Sequence, residues 1–189
     1  MVTLWLFAVG SAVLMALGAW CGYRLRAEYR TRHRPTLMTI AGVWVLYTLH
    51  FGLILIAAAD STWSFPLPRP LSVGGGILCL LIGAIVCFAA MASFRSLKRL
   101  PGMNTNRLIT GGIYRWSRNP QNVGWTLVLI GIALLRTSAM VLLLAALFWI
   151  GFRMYLPLEE QLLERIFGDA YRTYRSQTNR YFGPPKRSV

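Results

Sequence analysis

Apolar residues run without a lysine or arginine from Thr3 to Tyr23, from Leu37 to Ala59 and from Leu71 to Ser93. Each run is long enough for one helix across a hydrocarbon core of roughly 30 Å. The next apolar block, Val123 to Leu156, is too long for one crossing and is interrupted at Arg136-Thr137-Ser138. It predicts two short helices joined by a tight turn, a hairpin over residues 120–156 that is tilted or packed against the longer spans. Pro120 suits the first turn of that fourth helix, where its missing N–H leaves no bond unmade. After Pro157 the pattern changes to LEEQLLERIFGDAYRTYRSQTNRYFGPP, amphipathic and rich in Arg and Tyr. The expected fold is an all-α membrane protein of five transmembrane helices, the last two a short hairpin, with a C-terminal amphipathic helix. It is read as one structural domain, with three spans and an Arg-rich loop in residues 1–93. Residues 94–189 then hold a polar loop, the hairpin and the amphipathic segment.

Composition agrees. Of 189 residues, 56% are hydrophobic and 14% charged, against about 25% charged in ordinary soluble domains. Twenty Lys and Arg against six carboxylates give a net charge of +14. Their short clusters between apolar runs fit anionic lipid head groups better than nucleic acid, so no nucleic-acid partner is expected. Cys21, Cys79 and Cys87 lie inside apolar runs as packing residues, and no Cys/His spacing points to a metal. The first run lacks the positive start of a signal peptide and is expected to be a retained helix.

The arginines orient the chain. Arg24, Arg26, Arg30, Arg32 and Arg34 fill the first loop. Arg95, Lys98, Arg99, Arg107, Arg115 and Arg118 fill the third, and the tail is basic from Arg165 onward. Only Arg69 and Arg136 mark the other side. The expectation is a multi-pass membrane protein with its N-terminus outside and the third loop and tail in the cytoplasm.

On that cytoplasmic side the hairpin brings two polar groups together: NRLITGGIYRWSRNP before it and Glu159-Glu160 after it. Gly111 and Gly112 permit close backbone approach or positive φ ahead of Tyr114. Carboxylates at a membrane border are costly unless they meet a cation. One reading is a staple, in which Glu159 and Glu160 pair with Arg115 and Arg118 and close the hairpin. The other is a pocket with carboxylates for hydroxyls or cations and arginines for an anion, suited to a zwitterionic cofactor.

LITGGIYRWSRNPQNVGW, followed after the hairpin by EEQLLERIFGDAYRTYRSQTNRYFGP, resembles the C-terminal half of the isoprenylcysteine carboxyl methyltransferase family and the related phospholipid N-methyltransferases. The resemblance covers about 80 of the 189 residues. It implies S-adenosylmethionine bound at the cytosolic ends of the last helices and methyl transfer to a lipid-like or small apolar acceptor. By position it assigns Asn106, Arg107, Leu108, Ile109, Tyr114, Arg118, Asn119, Pro120, Gln121, Asn122, Glu159 and Glu160 to the cofactor. Tyr171, Tyr174 and Arg180 would close around it. A carboxylate suits ribose hydroxyls or an α-ammonium, and Arg118 suits a carboxylate. Tyr114, Trp116 and Tyr181 supply aromatic surroundings for a sulfonium.

Two departures bear on the acceptor. The family's His-Pro-x-Tyr reads Asn119-Pro120-Gln121-Asn122 here, and asparagine does not titrate as a base. Tyr155 stands where the carboxyl methyltransferases carry a substrate-binding arginine, and Arg153 lies on another face. The catalytic residue is thus open among Asn119, Glu159 and Arg153. The acceptor is expected to be a neutral or cationic head group, an amine or a small apolar thiol. Two alternatives stand beside this reading: a sterol-reductase-like NADPH oxidoreductase, and a non-catalytic membrane scaffold. Elsewhere, His50 is expected to hydrogen-bond a neighbouring helix, and Gly74-Gly75-Gly76 to serve close helix packing.

Overall fold

A computed structural model describes residues 2–32, 34–93 and 108–186, and these are mostly helical. The order is α1 (Val2–Thr31), α2 (Leu37–Ala59), α3 (Arg69–Ser93), a 3-10 turn (Gly112–Arg115), α4 (Pro120–Arg136), α5 (Ala139–Phe167) and α6 (Asp169–Gln177). Among the described residues, β-structure is confined to one isolated bridge between Ser64 and Ser138. Asn106 and Arg107 of the sequence-derived site lie outside the described residues, as do Arg95, Lys98 and Arg99.

Four helices, α1, α2, α3 and α5, are long and apolar enough to cross a membrane. α4 has 17 residues, about 25 Å of helix, and falls short. The five expected spans therefore become four of crossing length plus α4, which leans on α3. Their contact is close because glycines face each other at two levels, Gly76 with Gly131 and Gly83 with Gly124. A Cβ on Gly83 would sit 2.6 Å from the Gly124 carbonyl, and one on Gly131 would sit 2.9 Å from that of Gly76. Small residues let membrane helices approach backbone to backbone. Gly76 thus packs as expected of the glycine triplet, whereas Gly74 meets nothing within 4 Å.

Two other bounds differ from the sequence reading. α1 continues eight residues past Tyr23 to Thr31, because the arginines mark the membrane border and not the helix end. α5 runs through Pro157 to Phe167, so the hairpin does not stop at residue 156. Proline within a membrane helix is tolerated where the carbonyl it frees finds other partners, and Pro157 lies on the exposed side. The expected amphipathic segment is consequently split between the polar end of α5 and the nine-residue α6.

The core joins Phe7 and Leu14 of α1, Leu53, Ile54 and Ala57 of α2, Leu129 and Ala133 of α4, and Met140, Val141 and Leu144 of α5. His50 is buried and its Nε2 lies 3.0 Å from the Leu144 carbonyl, with the ring stacked on Phe148. Large apolar side chains such as Trp5, Trp44, Leu78, Ile85 and Phe88 stay exposed, as expected of helices solvated by lipid. At one end, Arg136 donates from Nη2 to the Ala59 carbonyl (2.9 Å) and from Nε to that of Ala58. A cation on the last carbonyls of α2 complements the helix dipole. The hairpin turn is thereby tied to α2, with Thr137 left-handed at φ 45°.

At the opposite end, buried Glu28 gathers four donors: the Thr36 N–H (2.7 Å), the Thr36 and Thr39 hydroxyls (2.8 Å each) and Arg24 Nη2 (2.8 Å). This carboxylate fixes the turn from α1 to α2. It sits in the run from Arg24 to Arg34, where it is the one acid among five arginines.

Candidate functional site

The segment before α4 is held by the chain's tail. The N–H of Arg118 donates to the Asn179 carbonyl (2.9 Å) and that of Gly183 to the Trp116 carbonyl (3.0 Å). The Asn119 amide donates to the Arg180 carbonyl (3.0 Å). Tyr174 of α6 donates its hydroxyl to the Tyr114 carbonyl at 2.8 Å. Rings complete the closure: Trp116 stacks on Phe182, and Tyr181 packs on Trp149 and Phe152 of α5. A 3-10 turn forms because Gly112 adopts φ 60°, open to glycine at little strain. Ser117, fully buried, then accepts the Asn119 N–H at 3.0 Å and sets the start of α4.

Glu160 is the electrostatic centre. Its carboxylate lies 3.2 Å from Arg118 Nη1 and 2.6 Å from Arg180 Nη2, and Arg180 Nε adds a bond of 3.1 Å. The staple reading is thus met by Arg118 with Glu160. Glu159 does not take part: among the described residues it forms no ion pair, and Arg115 is exposed and pairs with no carboxylate. The helix phase explains the split. Phe152, Leu156 and Glu160 form one buried stripe of α5, while Glu159 is half-buried on the flank with Tyr155. Tyr29, Tyr47, Tyr114 and Tyr155 lie within electrostatic range of Glu159. The hydroxyls of Tyr29 and Tyr155 meet at 3.0 Å, which brings α1 to the edge of the site. The sequence reading missed Tyr29 and Tyr47 because α1 and α2 matched the family pattern only as hydrophobic helices.

Arg118 is incompletely satisfied. Its side chain is 9% exposed, and beyond the Nη1–Glu160 ion pair neither Nε nor Nη1 makes a hydrogen bond among the described residues. A buried unsatisfied donor is costly, and a guanidinium edge suits a carboxylate or phosphate. Around it the phenols stay protonated. Burial, and then the Glu160 charge, pushes Tyr171 up to about 12, and burial likewise raises Tyr174. Burial followed by the Glu159 charge raises Tyr114. The bonds from Glu160 lift the Arg180 guanidinium further above its ordinary range.

Of the sequence-derived site residues, the structure brings together Tyr114, Arg118, Asn119, Pro120 and Glu160, with Glu159 on the flank. Pro120 is buried at the start of α4, with Gln121 and Asn122 half-buried behind it. Leu108 and Ile109 are half-buried just ahead of the 3-10 turn. Arg153 is exposed, on a face apart from Glu160.

A family model described as phospholipid methyltransferase matches residues 71–170, more than half of the chain. The chain belongs to the phospholipid methyltransferase family. Among curated proteins it is similar to the protein-S-isoprenylcysteine O-methyltransferases of Rattus norvegicus (29% identical) and Mus musculus (30% identical), over 107 residues in each case. That stretch covers 54% of this chain and 38% of each relative. No solved structure matches the chain. The family match takes in α3, α4, α5 and the approach to α4, so the Arg118–Glu160 pair falls inside it. Tyr171, Tyr174 and Arg180 lie beyond it.

Proposed function

We propose that this member of the phospholipid methyltransferase family transfers a methyl group from S-adenosylmethionine to an acceptor dissolved in the membrane. The observation that carries the proposal is Arg118, a nearly buried guanidinium whose Nη1 ion-pairs with Glu160 at 3.2 Å and whose Nε has no hydrogen-bond partner among the described residues. That guanidinium edge fits the carboxylate of an amino-acid-bearing cofactor. Glu159, half-buried and unpaired among the described residues, fits its ammonium or ribose hydroxyls. Leu108, Ile109, Tyr114 and Asn119 to Asn122 would line the site, joined by Asn106 and Arg107 on the strength of the resemblance. When bound, the cofactor supplies a methyl group made electrophilic by its sulfonium.

The protein's part is positioning. Glu160 aims Arg118, the tail excludes water, and a fixed approach of two reactants supplies much of a methyl-transfer rate. Of the three catalytic candidates, Asn119 is engaged with the Arg180 carbonyl and Arg153 is exposed. Glu159, assigned here to the cofactor, is not free to act as a base, so the rate rests on positioning. With Tyr155 beside it and no arginine on that flank, the acceptor is a neutral or cationic head group, an amine or a small apolar thiol. In this reading residues 1–93 anchor the chain, residues 94–189 hold the cofactor, and the arginine-rich ends of the helices face the cytoplasm.

Calorimetry on the purified chain tests the proposal. Binding of S-adenosylhomocysteine supports it, and binding of NADPH in its place moves the chain to reductase chemistry. Binding of neither assigns the Arg118–Glu160–Arg180 cluster to a structural scaffold.

A further inference from the structure

A second basic site lies between α1 and α5, on a face of α5 turned away from Glu160. The cavity there is lined by Arg26, Tyr29 and Arg30 from α1 and by Gln161, Leu162 and Arg165 from α5. The positions follow from helix geometry. Residues 26, 29 and 30 form one stripe of α1, and residues 161, 162 and 165 form one stripe of α5. Tyr29 and Leu162 pack at the base, both buried. The three arginines are exposed. Among the described residues none of them meets a carboxylate, and Arg165 makes a single bond of 3.3 Å to the Tyr29 carbonyl. Three arginines thus line one cleft with no described carboxylate paired to them, in a chain that holds only six acids. Like charges so arranged repel one another unless an anion joins them.

Depth along the helices identifies the anion's source. A hydrocarbon core takes about 20 residues of helix, and α1 and α5 each offer 29-residue spans. Roughly the last nine residues of each therefore pass beyond the hydrocarbon. Arg26, Arg30 and Arg165 all fall in those extensions, at the level of lipid phosphates, on the end of the bundle that carries most of the chain's arginines. We propose that this cleft is a phosphate-binding site that takes the head group of an anionic membrane lipid. It is separate from the site at Arg118, and it clamps α1 to α5. Guanidinium forks bind phosphate oxygens in pairs.

The test uses the full chain in nanodiscs of phosphatidylcholine doped with phosphatidylglycerol. Preferential binding of the anionic lipid is read by native mass spectrometry, alongside calorimetry with S-adenosylhomocysteine. Arg26→Gln/Arg30→Gln is compared with Arg32→Gln/Arg34→Gln, which removes equal charge from the same end of the bundle. The first pair should weaken phosphatidylglycerol binding at least about tenfold, two charge-assisted bonds being lost. The second pair should change it less than about threefold. Both pairs should bind S-adenosylhomocysteine like the parent, so failure of the cofactor proposal leaves this one standing, and the reverse. Displacement of the lipid by millimolar inorganic phosphate would assign the site to a free phosphate, and retention to the lipid head group. Equal losses from the two pairs, or none from the first, overturn the site and leave only a diffuse attraction of net charge.

Discussion

Arg180 reaches Glu160 with Nη2 2.6 Å from Oε2, so the C-terminal tail is bonded to the middle of α5's polar end. Glu160 meets Arg118 on its other side at 3.2 Å. The two arginines differ in environment: the Arg118 side chain is 9% exposed and that of Arg180 is 44% exposed. Glu160→Gln strands a buried guanidinium, and breaking one side of a buried pair costs about 3 kcal/mol or more. Arg180→Gln breaks a half-exposed pair, worth at most about 1 kcal/mol. Thermal unfolding of the purified chain should therefore fall much further for Glu160→Gln than for Arg180→Gln. Equal falls would mean that the Arg118 contact does not hold the cluster together.

Glu159 should behave in the opposite way. It is half-buried, and no described cation neutralises it, so Glu159→Gln should leave the melting temperature of the ligand-free protein unchanged or raised. Under the proposed function the same change removes one charge-assisted contact to the cofactor. Such a contact is worth about 1.5–3 kcal/mol, or roughly ten- to a hundredfold in S-adenosylhomocysteine affinity. A variant that binds the analogue as tightly as the parent would move the cofactor away from this residue.

These two carboxylates show how far the sequence could be read. That an acidic pair meets an arginine at the hairpin mouth was legible, because a hairpin returns the chain to its starting side. Which acid does so depends on the rotation of α5, and the stripe Phe152, Leu156, Glu160 carries that phase only once the helix is known to continue through Pro157. The bounds of α2 were legible to the residue, since polar loops flank a clean apolar run. α1 outruns its apolar stretch because the polar residues after Tyr23 stay helical to Thr31. The Glu28 cluster stayed hidden: its Thr36 and Thr39 donors lie across a turn, and a lone acid among five arginines reads as a solvated charge.

The α3–α4 contact makes a sharper test of packing. A Cβ on Gly83 would meet the Gly124 carbonyl at 2.6 Å and the Val128 N–H at 2.8 Å, both backbone atoms that cannot rotate aside. Gly83→Ala should force the helices apart, at a cost of about 1–3 kcal/mol. Gly22 of α1 has nothing within 4 Å of its would-be Cβ, and alanine is the better helix former by up to about 1 kcal/mol. Gly22→Ala should thus be neutral or stabilising in the same unfolding assay. If both substitutions are silent, α4 does not depend on close backbone approach.

The turn from α1 to α2 gives the last test, through Thr39. Its side chain is fully buried, and its hydroxyl donates to Glu28 Oε1 at 2.8 Å. Thr39→Val keeps the shape and removes one donor from a buried carboxylate that has three others: the Thr36 N–H, the Thr36 hydroxyl and Arg24. A hydrogen bond to a charged group is worth about 1.5–3 kcal/mol, so the variant should unfold measurably earlier. Glu28→Gln should cost as much or more, because Arg24 would lose its counter-charge and the amide nitrogen would face the hydroxyls as a donor. The Glu28 cluster shares no residue with the Arg118 site, so S-adenosylhomocysteine binding should persist in Thr39→Val at temperatures where the chain is folded. Loss of analogue binding in a folded Thr39→Val would instead couple the first turn of the bundle to the cofactor. The proposed site would then have to extend to α1 and α2.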